Sequence, residues 1–382
     1  MRVFVIAGEP SGDALGAAVM DGLQSLRPDV RFDGVGGPLM QARGLDSRFP
    51  MDELSVMGLA EVLPRYRALK RRIAECAEAV IETRPDVLLT IDSPDFCLRV
   101  AKLVKARVDV PVVHYVAPSV WAWRPKRADR MARHVDHVLA LLPFEPPFME
   151  RAGMTCDFVG HPVVSQPLAD RDAARAFRDQ TGGAPLVLCL PGSRRSEVTR
   201  LAPLFGAALG LLRERRPGLK VVVPCAAPVV DLVRAETAGW PVTPQLIVPD
   251  EDPEGATKRA AFRAADVALA ASGTVSLELA AAGTPMVIAY DMAWLSRIIL
   301  QRMVRVDTVT LVNLVSDTRA VPEFIGADCT AERIATGLDA TLGSPDAQRA
   351  AMDLTMDRLG RGGEPPGLRA ARSILTFLDA RL

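Results

Sequence analysis

Residues 186–197, LVLCLPGSRRSE, and residues 267–278, VALAASGTVSLE, decide the fold. Each begins as an apolar run short enough for one buried strand, turns on small residues, and continues in a helical pattern. Strands that feed helices in this way build parallel sheets covered by helices on both faces. The turns carry chemistry as well. The first N–H groups of a helix lack intrahelical partners and bear partial positive charge, so a helix start attracts anions. Two such starts in one half of the chain, one with Arg194 and one with Glu278 four residues beyond Thr274, point to a nucleotide diphosphate. A guanidinium pairs with phosphate, and a carboxylate accepts from ribose hydroxyls. Contacts are expected from Gly192, Ser193, Arg194, Ser272, Gly273, Thr274 and Glu278. An exposed basic turn, and an ion pair of Glu278 with an arginine, are the structural alternatives.

Outward from these stretches the same alternation fills the chain. Strands are expected at 3–7, 31–34, 87–91, 112–116, 135–141 and 156–159, with helices at 13–26, 63–83, 96–108 and 144–152. Gly160-His161-Pro162 interrupts the pattern, and a polar stretch runs to Gly183. A second series follows, with strands at 186–190, 220–224, 246–248, 267–270 and 286–289 and helices at 197–215, 228–238, 256–265 and 274–282. Residues 331–382 read as a helical tail broken at 360–367. The fold class is α/β: two Rossmann-like domains facing a cleft, with a C-terminal helical tail. The expected domains are 1–165, 166–345 and 346–382, the last packing back on the first or on a partner subunit. Ligands of open α/β sheets bind beyond the carboxyl ends of the strands.

Composition narrows the class. The 382 residues are 49% apolar and 24% charged, as in a globular enzyme. The formal net charge is zero, so nothing global points to nucleic acid. Six scattered cysteines lack metal or redox spacing and read as buried thiols of a reducing compartment. The first apolar run is a strand rather than a signal peptide, and no run is long enough to span a membrane.

Three strand ends of the first half carry polar groups. Gly8-Glu9-Pro10-Ser11-Gly12-Asp13 is neither a dinucleotide fingerprint nor a P-loop, yet it sets two carboxylates, Glu9 and Asp13, at a strand end, where both are candidate catalytic groups beside Asp92. Helix capping by Ser11 or Asp13 is the alternative. Asp92 directly follows an apolar run, where partial desolvation raises a carboxylate's strength as a base. Asp95 suits the N-cap of the next helix. His114 to Arg124 holds two of the four tryptophans, and Trp121 is a candidate platform for a sugar ring, with core packing as the alternative. His134 and His137 lack a third metal ligand nearby. Two basic-apolar segments, 62–73 and 292–306, suit an anionic lipid surface or an ordinary solvated helix face.

GEPSGD at 8–13, SVMG at 55–58, IDSPDF at 91–96, HYVAPSVWAWR at 114–124, LPFE at 142–145, GHP at 160–162, LPGSR at 190–194, ASGT at 271–274 and VNL at 312–314 occur in this order. Together they resemble the lipid-A-disaccharide synthases. The resemblance implies a glycosyltransferase B-type fold and an inverting transfer. The donor is UDP-2,3-diacylglucosamine and the acceptor 2,3-diacylglucosamine 1-phosphate. The products are a β-1,6-linked disaccharide 1-phosphate and UDP. It implies no cofactor and no metal, and a cytoplasmic location peripheral on the inner membrane, in contact with its surface lipids. It also implies a tail that can take part in a homodimer. By resemblance, Asp92 is the candidate general base, Glu9, Ser11 and Gly12 lie in the N-terminal loop near a sugar, and Arg194, Glu278 and Asn313 lie on the nucleotide side. A soluble UDP-sugar epimerase on the same fold is the competing expectation.

Overall fold

The computed structural model describes residues 1–54, 59–291 and 306–381, with the side chains of residues 59–65 outside the description. The motif at 55–58 and all but the last residue of the 292–306 segment lie outside the described residues. The chain divides into two units, Met1–Ser165 with Gly362–Leu382, and Gln166–Arg361.

In the first unit β1 (Arg2–Ala7), β2 (Arg31–Val35), β3 (Val87–Ile91), β4 (Val112–Tyr115), β5 (His137–Ala140) and β6 (Thr155–Phe158) form a parallel sheet in the order β2-β1-β3-β4-β5-β6. Its central strands are buried on both faces, which explains their unbroken apolar runs. Successive residues of β1 divide between two cores: Val3, Val5 and Ala7 face one side, Phe4 and Ile6 the other. The chain leaves β1 for β2 on one side and places β3 on the other, so β1 and β3 flank a topological switch point.

The helix Pro366–Asp379 completes this unit from the far end of the chain. It packs on the helix Pro10–Leu26 so closely that a Cβ on Gly22 would come within 2.7 Å of the Gly367 carbonyl oxygen. Ser373 Oγ lies 2.8 Å from His137 Nε2, and Phe377 stacks on the His137 ring at 4.8 Å. The 346–382 tail was expected to act as one piece. The helix Asp346–Arg358 instead packs on Leu311–Ser316 and Val275–Ala282 of the second unit, because Met352, Thr355 and Met356 are buried there.

In the second unit β7 (Leu186–Leu190), β8 (Lys220–Pro224), β9 (Gln245–Ile247), β10 (Val267–Ala271), β11 (Met286–Tyr290) and β12 (Glu323–Ile325) form a parallel sheet ordered β12-β11-β10-β7-β8-β9. Here the switch point lies between β7 and β10, the two strands quoted at the outset. Among the elements that were not expected, besides the helix Leu311–Ser316, two are instructive. The helix Arg171–Asp179 lies in the polar stretch; only Ala174 and Phe177 are buried, too few to make a periodic signal. The edge strand β12 is three half-buried residues long.

Candidate functional site

The carboxyl ends of β7 and β10 open into a cavity of about 450 Å³ in the second unit. All seven residues expected to hold a nucleotide diphosphate, Gly192, Ser193, Arg194, Ser272, Gly273, Thr274 and Glu278, line it. Gly192 has φ +118°, and a Cβ there would fall 2.6 Å from the Glu197 side chain, so the turn needs glycine. Glu197 shapes this turn from the first turn of the helix Arg195–Arg215. Its Oε2 accepts from the N–H groups of Ser193 (3.2 Å) and Arg194 (3.3 Å), and its Oε1 accepts from Arg194 Nη1 (3.1 Å). A carboxylate thus sits on the amides of this helix start. A carboxylate three residues after the cap is a capping-box pattern, a sequence signal that points to Glu197. The second start, at the head of the helix Val275–Ala282, presents Gly273 and Thr274 to the cavity. Glu278 pairs with a lysine rather than an arginine: Lys258 Nζ donates to Oε2 at 3.4 Å, and Lys258 also lines the cavity.

Asn313 is placed differently. It is 1% exposed, its Nδ2 donates to Val321 O (2.9 Å) and Thr308 Oγ1 (3.2 Å), and its Oδ1 accepts from Val321 N (3.0 Å). Both donors and the carbonyl are engaged in fastening a loop, and the residue does not line the cavity. Its amide is thus spent on loop bonds rather than turned to the cavity.

In the first unit the loops after β1, β3, β4 and β5 meet at the carboxyl edge of the sheet. Gly8 is so near the β3 loop that a Cβ would lie 2.6 Å from Ser93 Oγ. Asp92 and Ser93 have φ +48° and +41°, and Val116, β-branched, has φ +85°. Left-handed residues without glycine cost energy and gather where function constrains the backbone. The Asp92 carboxyl is half-buried, and burial pushes it above the usual carboxylate range against the opposing effects of the Ser93 N–H and the Arg127 charge. His114 is buried with Nδ1 2.8 Å from Thr90 Oγ1, and burial lowers it to about 4, so it stays neutral.

Glu9 precedes the helix Pro10–Leu26 as its N-cap residue; Ser11 is exposed and Gly12 buried against Ile91. Asp13, expected as a catalytic carboxylate, is 3% exposed and accepts from three backbone N–H groups: Gly37 (2.9 Å), Leu39 (2.9 Å) and Met40 (3.0 Å). It caps the short helix Pro38–Gln41 across 24 to 27 positions of sequence. That engagement gives it a structural task, holding the turn at Gly37–Met40. The helix after β3 starts at Pro94 with Ser93 as its N-cap, so Asp95 falls in the first turn instead of at the cap. Trp121 is half-buried and its indole N–H donates to Glu145 Oε1 at 3.2 Å, a link no local pattern announces.

Two strand-end clusters of this kind, each at a switch point, are what a sugar-nucleotide transferase needs, and comparison with known proteins decides which. A family model described as lipid-A-disaccharide synthetase matches residues 3–363. The chain belongs to the lipid-A-disaccharide synthase family. The lipid-A-disaccharide synthase of Ruegeria pomeroyi is 64% identical over 387 residues, covering 99% of this chain and 96% of that protein. That of Rhodospirillum centenum is 46% identical over 390 residues, covering 100% and 96%. As a lipid-A-disaccharide synthase, this enzyme is a hexosyltransferase that moves the sugar of UDP-diacylglucosamine onto diacylglucosamine 1-phosphate. Solved structures resemble it in fold. S. aureus MnaA in its UDP co-structure aligns with TM-score 0.68 at 12% identity, covering 99% of this chain and 97% of that one. A UDP-GlcNAc 2-epimerase from Neisseria meningitidis bound to UDP-GlcNAc gives 0.61 at 13%, with full coverage of both. Likeness at this identity shows the glycosyltransferase B-like fold alone, so the competing epimerase expectation gains no activity from it. Among the described residues no helix of this synthase is long and apolar enough to cross a membrane.

Proposed function

We propose that the transfer is a single displacement in which Asp92 is the general base. The acceptor 6-hydroxyl oxygen attacks the anomeric carbon of the donor, the bond from that carbon to the UDP oxygen breaks, and the hydroxyl proton passes to Asp92. Attack from the face opposite UDP turns an α-linked donor into a β-1,6 product. The supporting observation is the placement of Asp92: directly after β3 at the switch point, on a left-handed backbone, with a carboxyl that burial makes more basic. Proton removal of this kind is worth about 10²–10⁴ in rate. On the donor side, the helix start at Gly273 and the Arg194 guanidinium receive the charge that grows on UDP as it leaves. Diphosphate binding then means that Arg194 exchanges Glu197 for phosphate. Glu278, at the mouth of the same cavity, accepts from the ribose diol. Glu9, Ser11, Gly12 and Trp121 surround the sugar.

Asp92→Asn is expected to lower kcat by about 10²–10⁴ with UDP affinity unchanged, measured by product formation and calorimetry. Turnover at the parent rate removes Asp92 from the role. Because both substrates are amphiphiles, the enzyme works on the cytoplasmic surface of the inner membrane. The helix Leu59–Thr83 supports this reading: Arg67, Lys70 and Arg71 are exposed beside Tyr66, while Arg72 turns inward to Glu53 at 2.7 Å. Flotation with anionic vesicles tests it, and protein that stays wholly in the aqueous fraction contradicts it. The helix Pro366–Asp379 turns its apolar face to its own first unit.

A further inference from the structure

The loops after β4 and β5 are joined by one side chain that the mechanism above does not use. Glu145 is 4% exposed. Its Oε2 accepts from the Leu142 N–H at 3.0 Å, which closes its own loop, and its Oε1 accepts from the indole N–H of Trp121 at 3.2 Å, in the loop after β4. Phe144 stands edge-on to the indole, ring centroids 5.2 Å apart at 88°. These partners of the carboxylate are donors. An ionised carboxylate accepts at both oxygens, whereas a carboxamide or a protonated acid must turn a donor toward one of the two N–H groups. Among the described residues no cation is among its partners, so burial of the charge is offset by the Leu142, Trp121 and Leu141 N–H groups. Closing a loop does not by itself call for a buried charge, since apolar packing would serve. A carboxylate accepts from the loop N–H and from the indole N–H at once, which ties the indole's orientation to the loop.

The sheet register sets this clamp beside the base. Ile91 pairs with Tyr115 and Tyr115 with Leu139, the Asp92 N–H donates to Tyr115 O at 2.9 Å, and the Val116 N–H donates to Leu139 O at 3.0 Å. Asp92, the Trp121 loop and Glu145 therefore follow three consecutive strands at one end of the sheet. We propose that Glu145 is a positioning residue for the transfer, fixing the Trp121 indole as the platform on which a glucosamine ring lies next to Asp92. This rests on the reading that Trp121 meets the sugar.

Burial pushes the Glu145 carboxyl up to about 7. Protonation turns one of its oxygens into a donor facing an N–H, so the clamp loosens as pH falls below that value. Cys156 on β6, a titratable group that feels its charge, is kept a neutral thiol by burial.

The test is steady-state kinetics of the full chain with diacylated donor and acceptor, across pH, for Glu145→Gln, Trp121→Phe, Trp121→Ala and the double variant Glu145→Gln/Trp121→Phe. Calorimetry with UDP and near-ultraviolet circular dichroism accompany it. Glu145→Gln is expected to lower kcat/KM about tenfold, the loss of one charge-assisted bond, and to flatten the acid limb near pH 7 with UDP affinity unchanged. Trp121→Phe, which keeps a ring and lacks the N–H, gives the same loss, and the double variant adds nothing to it. If Trp121→Ala leaves kcat/KM unchanged, the sugar-contact reading itself fails. If Trp121→Ala lowers it while Glu145→Gln keeps the parent rate and acid limb, or if the losses add in the double variant, only the positioning role is overturned.

Discussion

Replacing Asp13 separates a structural carboxylate from a catalytic one. Asp13→Ala removes the acceptor for three N–H groups at the head of the helix Pro38–Gln41. Leu39 is 47% exposed, so its amide turns to water, whereas the amides of Gly37 and Met40 are left in buried surroundings. Each stranded buried donor costs about 1–3 kcal/mol, which puts the loss near 4 kcal/mol for the pair. That is a large part of the roughly 5–15 kcal/mol by which a domain is stable. Asp13→Asn can keep the oxygen that accepts from both Gly37 and Met40 and turn its amide only toward the exposed Leu39 N–H, so it should lose far less. Urea unfolding is the assay, with the midpoint falling at constant slope. Turnover at low temperature, corrected for the folded fraction, should stay within a few-fold of the parent. An unshifted midpoint with a hundredfold loss of kcat would refute the capping role and return Asp13 to the chemistry.

Arg194→Ala should weaken UDP binding by about tenfold or more, the value of a charge-assisted bond, and an unaltered dissociation constant by calorimetry counts against placing the diphosphate there. Asn313→Ala should cost about 2–3 kcal/mol of stability through its loop bonds and leave UDP affinity alone; weaker UDP binding at unchanged stability would make Asn313 a ligand contact after all. His114 is lowered by burial from 6.5 to about 4, so between those values the unfolded chain binds the extra proton. Its contribution is whole above pH 6.5 and is lost as pH falls toward 4, at most about 3 kcal/mol. His114→Asn, which keeps a polar partner for Thr90 without the titrating ring, should flatten that part of the stability profile in urea titrations, and an equally steep profile disproves the assignment.

What could be read along the chain was what is local in sequence. Both switch-point turns follow an apolar strand within a few residues, and so the seven cavity residues could be grouped before any coordinates. Asp92 follows the same logic. What was not legible has the opposite character. Nothing near Asp13 or Asn313 shows that their lone pairs and donors are consumed by peptide groups 8 to 27 positions away. Trp121 and Glu145 are 24 positions apart and are joined only because β4 and β5 are neighbours. The helix Arg171–Asp179 and β12 were missed because so little of either is apolar and buried. Long-range bonds from side chains and elements at a sheet's edge therefore need coordinates, whereas strand-to-helix turns do not.

The docking of Pro366–Asp379 has a consequence for biosynthesis. The first unit begins to emerge from the ribosome at once, but its last helix is made only after the whole second unit has been translated. Until then the groove over Gly22 and the ring of His137 lacks its cover, and an apolar strip of the nascent sheet faces solvent and other chains. Such late closure is slow by topology, since residues some 350 apart must find one another. A chain that stops short of residue 366 would keep every residue assigned to the transfer and still be a client for chaperones and proteases.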